Sequence, residues 1–89
     1  MNKLECNIIE ISINDYLNKV ISLNALIIRL EEVLTVINNN YILNKLIPIV
    51  DDLEIINAII LSENRLISLK EKEDIYFLIN KIVIIIKNI

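Results

Sequence analysis

The sequence predicts an all-α fold: a small antiparallel bundle of three helices in a single domain covering residues 1–89, with a core completed by oligomerisation. Apolar residues recur at alternating steps of three and four, which is the spacing of one helix face. A second apolar stripe flanks the first, so the buried face is too wide for a two-stranded coiled coil. Apolar residues make up 55% of the 89 positions, more than a domain of this size can easily bury.

The first helix is predicted over residues 14–37. Asn14 followed by Asp15 suits an N-cap and a first turn, and Ser12 with Asp15 resembles a capping box. The helix is expected to end where three asparagines replace the missing glycine as turn residues, at 38–40. The apolar seam that predicts this segment runs through Cys6, Ile9, Ile13, Tyr16, Val20, Leu23, Ile27, Leu30, Leu34, Ile37 and Tyr41.

Residues 1–13 allow more than one interpretation. The seam extends back to Cys6, which favours an additional turn of helix. Residues 9–13 also alternate between apolar and polar side chains, as a short strand does. The segment is therefore expected to be either helical or an extended arm.

The second helix is predicted over residues 41–61, with a break at 62–64. Pro48, the only proline of the chain, is expected to kink this helix or to start a new one, because it lacks a backbone donor. Acidic residues follow it closely and suit a helix N-terminus. The seam of this segment comprises Ile42, Leu46, Ile49, Leu53, Ile56 and Ile60.

The last helix is predicted over residues 70–88, and Ser68 with Glu71 forms a candidate capping box. Residues 82–86 are all β-branched, which lowers helix propensity and leaves a strand as the alternative. The helix is preferred because the spacing of three and four extends across the whole segment. Its apolar stripe comprises Ile75, Leu78, Ile82, Ile85 and Ile89.

Composition excludes most catalytic chemistries. The chain has no glycine and no histidine, so it has neither a phosphate-binding loop nor an imidazole base or metal ligand. The formal net charge is −3, and the nine basic residues are scattered, which argues against direct binding of nucleic acid. No enzyme activity, cofactor or metal is expected.

No apolar stretch is long enough to span a bilayer, which needs about 18 consecutive apolar residues. Glu5 interrupts the position where a signal peptide is apolar. We therefore expect a cytoplasmic protein without a membrane span. The abundance of isoleucine, asparagine and lysine is typical of an AT-rich genome.

Acidic pairs offer an alternative function as an all-α carboxylate-metal hydrolase. Asp51 with Glu54, and Glu71 with Asp74, have helix spacing, and hard cations prefer carboxylate oxygens. The hydrolases that use such pairs carry a further glutamate on an earlier helix, and Thr35 occupies that position here. Surface and capping roles are the simpler interpretation.

A short segment resembles a known family. Residues 46–54, Leu-Ile-Pro-Ile-Val-Asp-Asp-Leu-Glu, are similar to a segment in the helical region of GrpE-type nucleotide exchange factors. The resemblance implies a dimeric helical module that acts on a chaperone. The chain departs from the family at Ile55, where an arginine is expected, and it has no room for the family's β domain.

The preferred interpretation is a non-enzymatic protein–protein interaction module, self-associating as a dimer or binding a protein partner. Its size and acidity suit a small inhibitor, an antitoxin-like protein or an adaptor, such as a phage or mobile element encodes. The predicted interaction surface consists of Leu26, Ile28 and Val33 on the first helix with Ile84 and Ile86 on the last.

Overall fold

Four α-helices form the protein in a computed structural model that describes all residues from 1 to 89. They are α1 (Lys3–Leu17), α2 (Leu23–Leu34), α3 (Asn40–Glu63) and α4 (Leu69–Lys87). The all-α class is confirmed, whereas the predicted number of three helices is wrong. The difference arises in the first third of the chain.

The segment predicted as one helix over residues 14–37 consists of two helices separated by a turn. Lys19 has a left-handed backbone with a φ of 63°. The N–H of Lys19 bonds to the carbonyl of Tyr16, and the N–H of Val20 bonds to that of Asp15, which is the hydrogen-bond pattern of a Schellman motif. Ser22 then caps α2 by accepting a hydrogen bond from the N–H of Ala25. The three-and-four spacing continues across this turn, so periodicity did not reveal it.

Residues 3–13 are helical, and the alternative of an extended arm or strand is wrong. Asn2 and Glu5 form a capping box, in which each side chain accepts from the backbone N–H of the other. Ser12 is not a cap: it is buried, and its hydroxyl donates to the carbonyl of Ile8. Asn14, predicted as the N-cap, lies inside α1.

Helix α3 continues through Pro48, so the proline does not begin a new helix. Pro48 is exposed, and so is Asn44, whose carbonyl loses its helical donor, so water can hydrate that carbonyl. Asn39 provides the N-cap by accepting from the N–H of Ile42. The helix ends at Glu63, two residues beyond the predicted end at 61 and within the predicted break at 62–64, and Asn64 adopts a left-handed backbone with a φ of 50°.

Helix α4 begins at the predicted capping box, since the side chains of Ser68 and Glu71 each accept from the backbone N–H of the other. The β-branched run 82–86 is helical. Helical spacing brings Ile82 and Ile86 into the core together with Ile75 and Ile79, and this burial outweighs the low helix propensity of β-branched residues.

The helices alternate in direction, and each packs against its two neighbours, with α1 also contacting α4. Arg29 in α2 bonds to Asp15 near the end of α1. Asn57 of α3 bonds to Asn24 at the start of α2. The 24 residues of α3 span about 36 Å, which matches the long axis of the molecule, 37 Å.

One hydrophobic core of 18 buried residues fills the bundle. All four helices contribute to it, and four of the six seam residues predicted for the second helix belong to it; Ile60 is buried outside this cluster and Ile56 is partly buried. Fully burying an isoleucine or leucine contributes roughly 1.5–3 kcal/mol. The core residues are Ile9, Ile13, Leu23, Leu26, Ile27, Leu30, Val33, Ile37, Ile42, Leu46, Ile49, Val50, Leu53, Ile75, Leu78, Ile79, Ile82 and Ile86.

Candidate interaction surface

Three of the five residues predicted for an interaction surface are core residues. Leu26, Val33 and Ile86 have exposures of 0%, 5% and 6%. They face the interior because the buried faces of α2 and α4 are wider than the single seams predicted from the sequence. Buried side chains cannot contact a partner directly in this fold, so the prediction of these three as surface residues is wrong.

Ile28 is exposed, but it stands alone. Its neighbours one turn away on the same face of α2 are Asn24, Glu31 and Glu32, all polar and exposed. Single apolar residues on a polar surface are ordinary in folded proteins. Ile28 therefore marks no extended surface.

Ile84 belongs to a continuous apolar surface, here named the α3–α4 face. Its members are exposed and lie on the outer sides of the two longest helices. On α3 they are seven, seven and four residues apart, and on α4 they are seven apart, so they align along each helix axis. The face consists of Tyr41, Pro48, Ile55 and Ile59 on α3 and Phe77 and Ile84 on α4.

Two adjacent grooves run between the helices of this face. The first, about 430 Å³ in volume, is lined by Lys45, Pro48 and Ile49 of α3 and by Lys81, Ile84 and Ile85 of α4. The second, about 360 Å³, is lined by Asp52, Ile55 and Ile56 of α3 and by Asp74, Phe77, Leu78 and Lys81 of α4. Lys81 borders both grooves, so they are neighbours along the helix pair.

Each helix of the face carries a lysine stacked on an aromatic ring one turn away. The Lys45 Nζ lies 4.4 Å from the ring centroid of Tyr41, and the Lys81 Nζ lies 4.7 Å from that of Phe77. Exposed cation–π contacts of this kind contribute about 0.5–1 kcal/mol each. They hold the lysine stems along the apolar surface and leave the charges at its rim.

The sequence contains a pattern that identifies this face and that the apolar periodicity alone does not reveal. Tyr41–Lys45 and Phe77–Lys81 are both aromatic–lysine pairs at a spacing of i, i+4, where side chains on a helix meet. The periodicity placed Tyr41 in the seam of the first helix and left Phe77 outside the stripe of the last helix. Tyr41 lies after the turn that separates α2 from α3 and therefore does not continue the seam of α2. Its side chain is 68% exposed.

Glu71 and Asp74, one of the two acidic pairs of the alternative metal site, make other contacts. Glu71 accepts two hydrogen bonds from Arg65 and caps α4, and Lys70 bonds to Asp74 at 2.8 Å. The Arg65 side chain and the backbone of Ser68 lower the pKa of Glu71 to about 2. No group of three or more histidine, cysteine, aspartate or glutamate side chains is positioned to hold a metal ion.

A second acidic contact joins α2 to α3. A hydrogen bond between the carboxyl groups of Glu31 and Glu54 raises the pKa of Glu31 above its usual value, and burial and the charge of Asp51 add to the effect. Both glutamates lie at the surface and are not enclosed by a cavity.

The fold and this surface define a four-helix bundle with an exposed apolar face. No protein-family model, curated protein or solved structure matches the chain.

None of the four helices is both long and apolar enough to span a lipid bilayer.

Proposed function

We propose that the chain is a non-enzymatic protein–protein interaction module that binds another polypeptide through the α3–α4 face. The observation that supports this proposal is the alignment of six exposed apolar side chains beside two neighbouring grooves. A contiguous apolar surface of this kind is typical of a protein-binding site, because water contact with it is unfavourable. As its biological role we propose a small inhibitor, antitoxin-like protein or adaptor, such as a phage or mobile element encodes.

The composition of the face favours a polypeptide as its ligand. Phe77 and Tyr41 provide aromatic anchors, and protein interfaces are enriched in such residues at their centres. The charges at the rim are balanced, since Lys45 and Lys81 are accompanied by Asp52 and Asp74. A phosphate backbone would instead favour clustered basic residues without neighbouring carboxylates.

Photo-crosslinking in the source cell tests this proposal. A photoreactive phenylalanine analogue replaces Phe77 in the full chain, and the matched control carries it at Ile28, which has comparable exposure on the polar side of α2. We expect position 77 to yield a covalent product with a second polypeptide and position 28 to yield none. Equal yields at both positions, or no product at position 77, would contradict the proposal.

A further inference from the structure

We infer that a pocket between the α1–α2 turn and the start of α4 binds a small aromatic carboxylate. This site, here named the tyrosine pocket, has a volume of about 490 Å³. It shares no residue with the α3–α4 face, so the inference is independent of the proposed function. The side chains that carry the argument are Tyr16, Lys19, Ile21, Ile67, Lys72 and Tyr76.

Separate segments of the chain converge on the tyrosine pocket. Tyr16 lies near the end of α1, and Lys19 lies in the turn that follows. Lys72 and Tyr76 are four residues apart on α4, so they lie on one face of that helix. The two groups meet because α1 packs against α4. The pocket volume falls within the range of small-molecule sites, about 300–1,000 Å³.

The charged residues that line the pocket are all basic. Lys19 and Lys72 line it, and no aspartate or glutamate does. Neither lysine takes part in an ion pair of this fold. The nearby carboxylates of Asp15 and Glu71 are bonded to arginines, and Glu73 follows Lys72 in the chain without lining the pocket. This local excess of positive charge favours an anionic ligand.

The N-terminus of α2 adds to the positive potential. Ser22, the N-cap of α2, and Leu23, its first residue, both line the pocket. The first turn of α2 carries no acidic residue, so no carboxylate of that turn compensates the partial positive charge of the helix end. Together with the two lysines, this helix end favours a carboxylate group in the pocket.

The two tyrosines provide aromatic surface and hydroxyl donors. Burial and the nearby Tyr76 raise the pKa of Tyr16 above its ordinary value of 10.0, so its hydroxyl stays protonated at neutral pH and can donate a hydrogen bond. Ile21 and Ile67, both partly buried, add apolar surface. Aromatic side chains pack well against a planar ring. An aromatic carboxylate therefore matches both the apolar and the cationic parts of the pocket.

Lys19 holds its position at a conformational cost. Its backbone is left-handed, with a φ of 63°, a conformation that glycine adopts without strain. Strained backbone is often found beside binding sites, where it positions a functional group. The inference gives the Lys19 side chain a role that glycine cannot provide, as a cation facing the ligand.

The first groove of the α3–α4 face is the competing site for an anion, because it also contains two lysines, Lys45 and Lys81. Both are stacked on aromatic rings, and two aspartates line the adjacent groove. The tyrosine pocket is larger and combines its lysines with tyrosine side chains. It is therefore the preferred site, and Lys45 provides the matched control.

An NMR titration of the full chain with 2-naphthoate tests the inference. We expect saturable chemical-shift changes in the backbone amides of residues 16–23 and 67–76, with a dissociation constant below about 1 mM. The control compound 2-naphthamide has the same rings without the charge and should bind at least about tenfold more weakly. Equal affinity for the two compounds, shifts confined to the α3–α4 face, or no saturable shift would overturn the inference.

Substitution of the lysines tests the site itself. Lys72→Gln should weaken binding of 2-naphthoate about tenfold, because it removes one of the two cations that line the pocket. Lys45→Gln removes a lysine from the competing groove and should leave binding unchanged. Circular dichroism establishes that both variants are folded, and the comparison of the two compounds needs no variant. Equal effects of the two substitutions would show that the anion does not bind in the tyrosine pocket.

Discussion

Arg65 holds Glu71 by two parallel hydrogen bonds, from Nη1 to Oε1 at 2.6 Å and from Nη2 to Oε2 at 2.8 Å. Arg65 lies two residues after the end of α3, and Glu71 lies in the first turn of α4. Glu71 Oε1 also accepts a hydrogen bond from the N–H of Ser68, the N-cap of α4. One carboxylate therefore fixes the connection between the two helices of the α3–α4 face.

This carboxylate should make stability depend on pH in the acid range. Its pKa is lowered from 4.5 to about 2 in the folded chain, so the unfolded chain binds the proton more tightly. The stabilisation is fully present above pH 4.5 and is lost as the pH falls toward 2. Urea unfolding between pH 6 and pH 2 should show a smaller loss of stability for Glu71→Gln than for the parent.

The comparison with the parent isolates Glu71 from other titrating groups. Glu31 has a raised pKa, so its contribution has the opposite sign and decreases as the pH rises. The contribution of Glu31 is the same in Glu71→Gln and in the parent, so it cancels when the two pH profiles are subtracted. Parallel pH profiles for the two chains would contradict the assignment.

Leu26 and Ile28 should respond very differently to truncation. Leu26 is 0% exposed in the core, whereas Ile28 is 48% exposed. Leu26→Ala should lower the free energy of unfolding by about 2–5 kcal/mol, because it removes buried methyl groups and leaves a cavity. Ile28→Ala should change it by about 0.5 kcal/mol or less. Urea denaturation at fixed protein concentration measures both, and similar losses would show that the core assignment is wrong.

The sequence was sufficient for the all-α class and for the start of α4, but not for the turn between α1 and α2 or for the surfaces. The three-and-four spacing identified the buried seam, and the Ser68–Glu71 capping box located the start of α4, because both are local patterns. The turn at Lys19 was missed because a lysine occupies a position that glycine normally signals. Isoleucine accounts for 23 residues, so apolar side chains lie on several faces of each helix. Only the packing distinguishes core residues such as Leu26 from surface residues such as Ile84.

Pro48→Ala should stabilise the chain. The proline lies inside α3 and is exposed, so alanine restores a backbone hydrogen bond to Asn44 and removes little packing. Part of the gain is offset, because alanine makes the unfolded chain more flexible. We expect the free energy of unfolding to rise by about 1–2 kcal/mol. Urea denaturation of both chains at the same protein concentration measures the change, and a decrease would contradict continuity of α3.

Lys19→Gly should also stabilise the chain, and the comparison with Asn64 tests the reason. Both residues adopt a left-handed backbone, with φ values of 63° and 50°, and both occupy the glycine position of a Schellman motif. Left-handed backbone costs roughly 1–2 kcal/mol for most residues, but asparagine tolerates it better. Lys19→Gly should therefore raise the free energy of unfolding by about 1 kcal/mol, and Asn64→Gly should raise it by less. Glycine at Asn18, where φ is −87°, is the control and should not stabilise, because no strain exists there to relieve. If Lys19→Gly destabilised the chain as much as the control, α1 and α2 would not be separated by this turn.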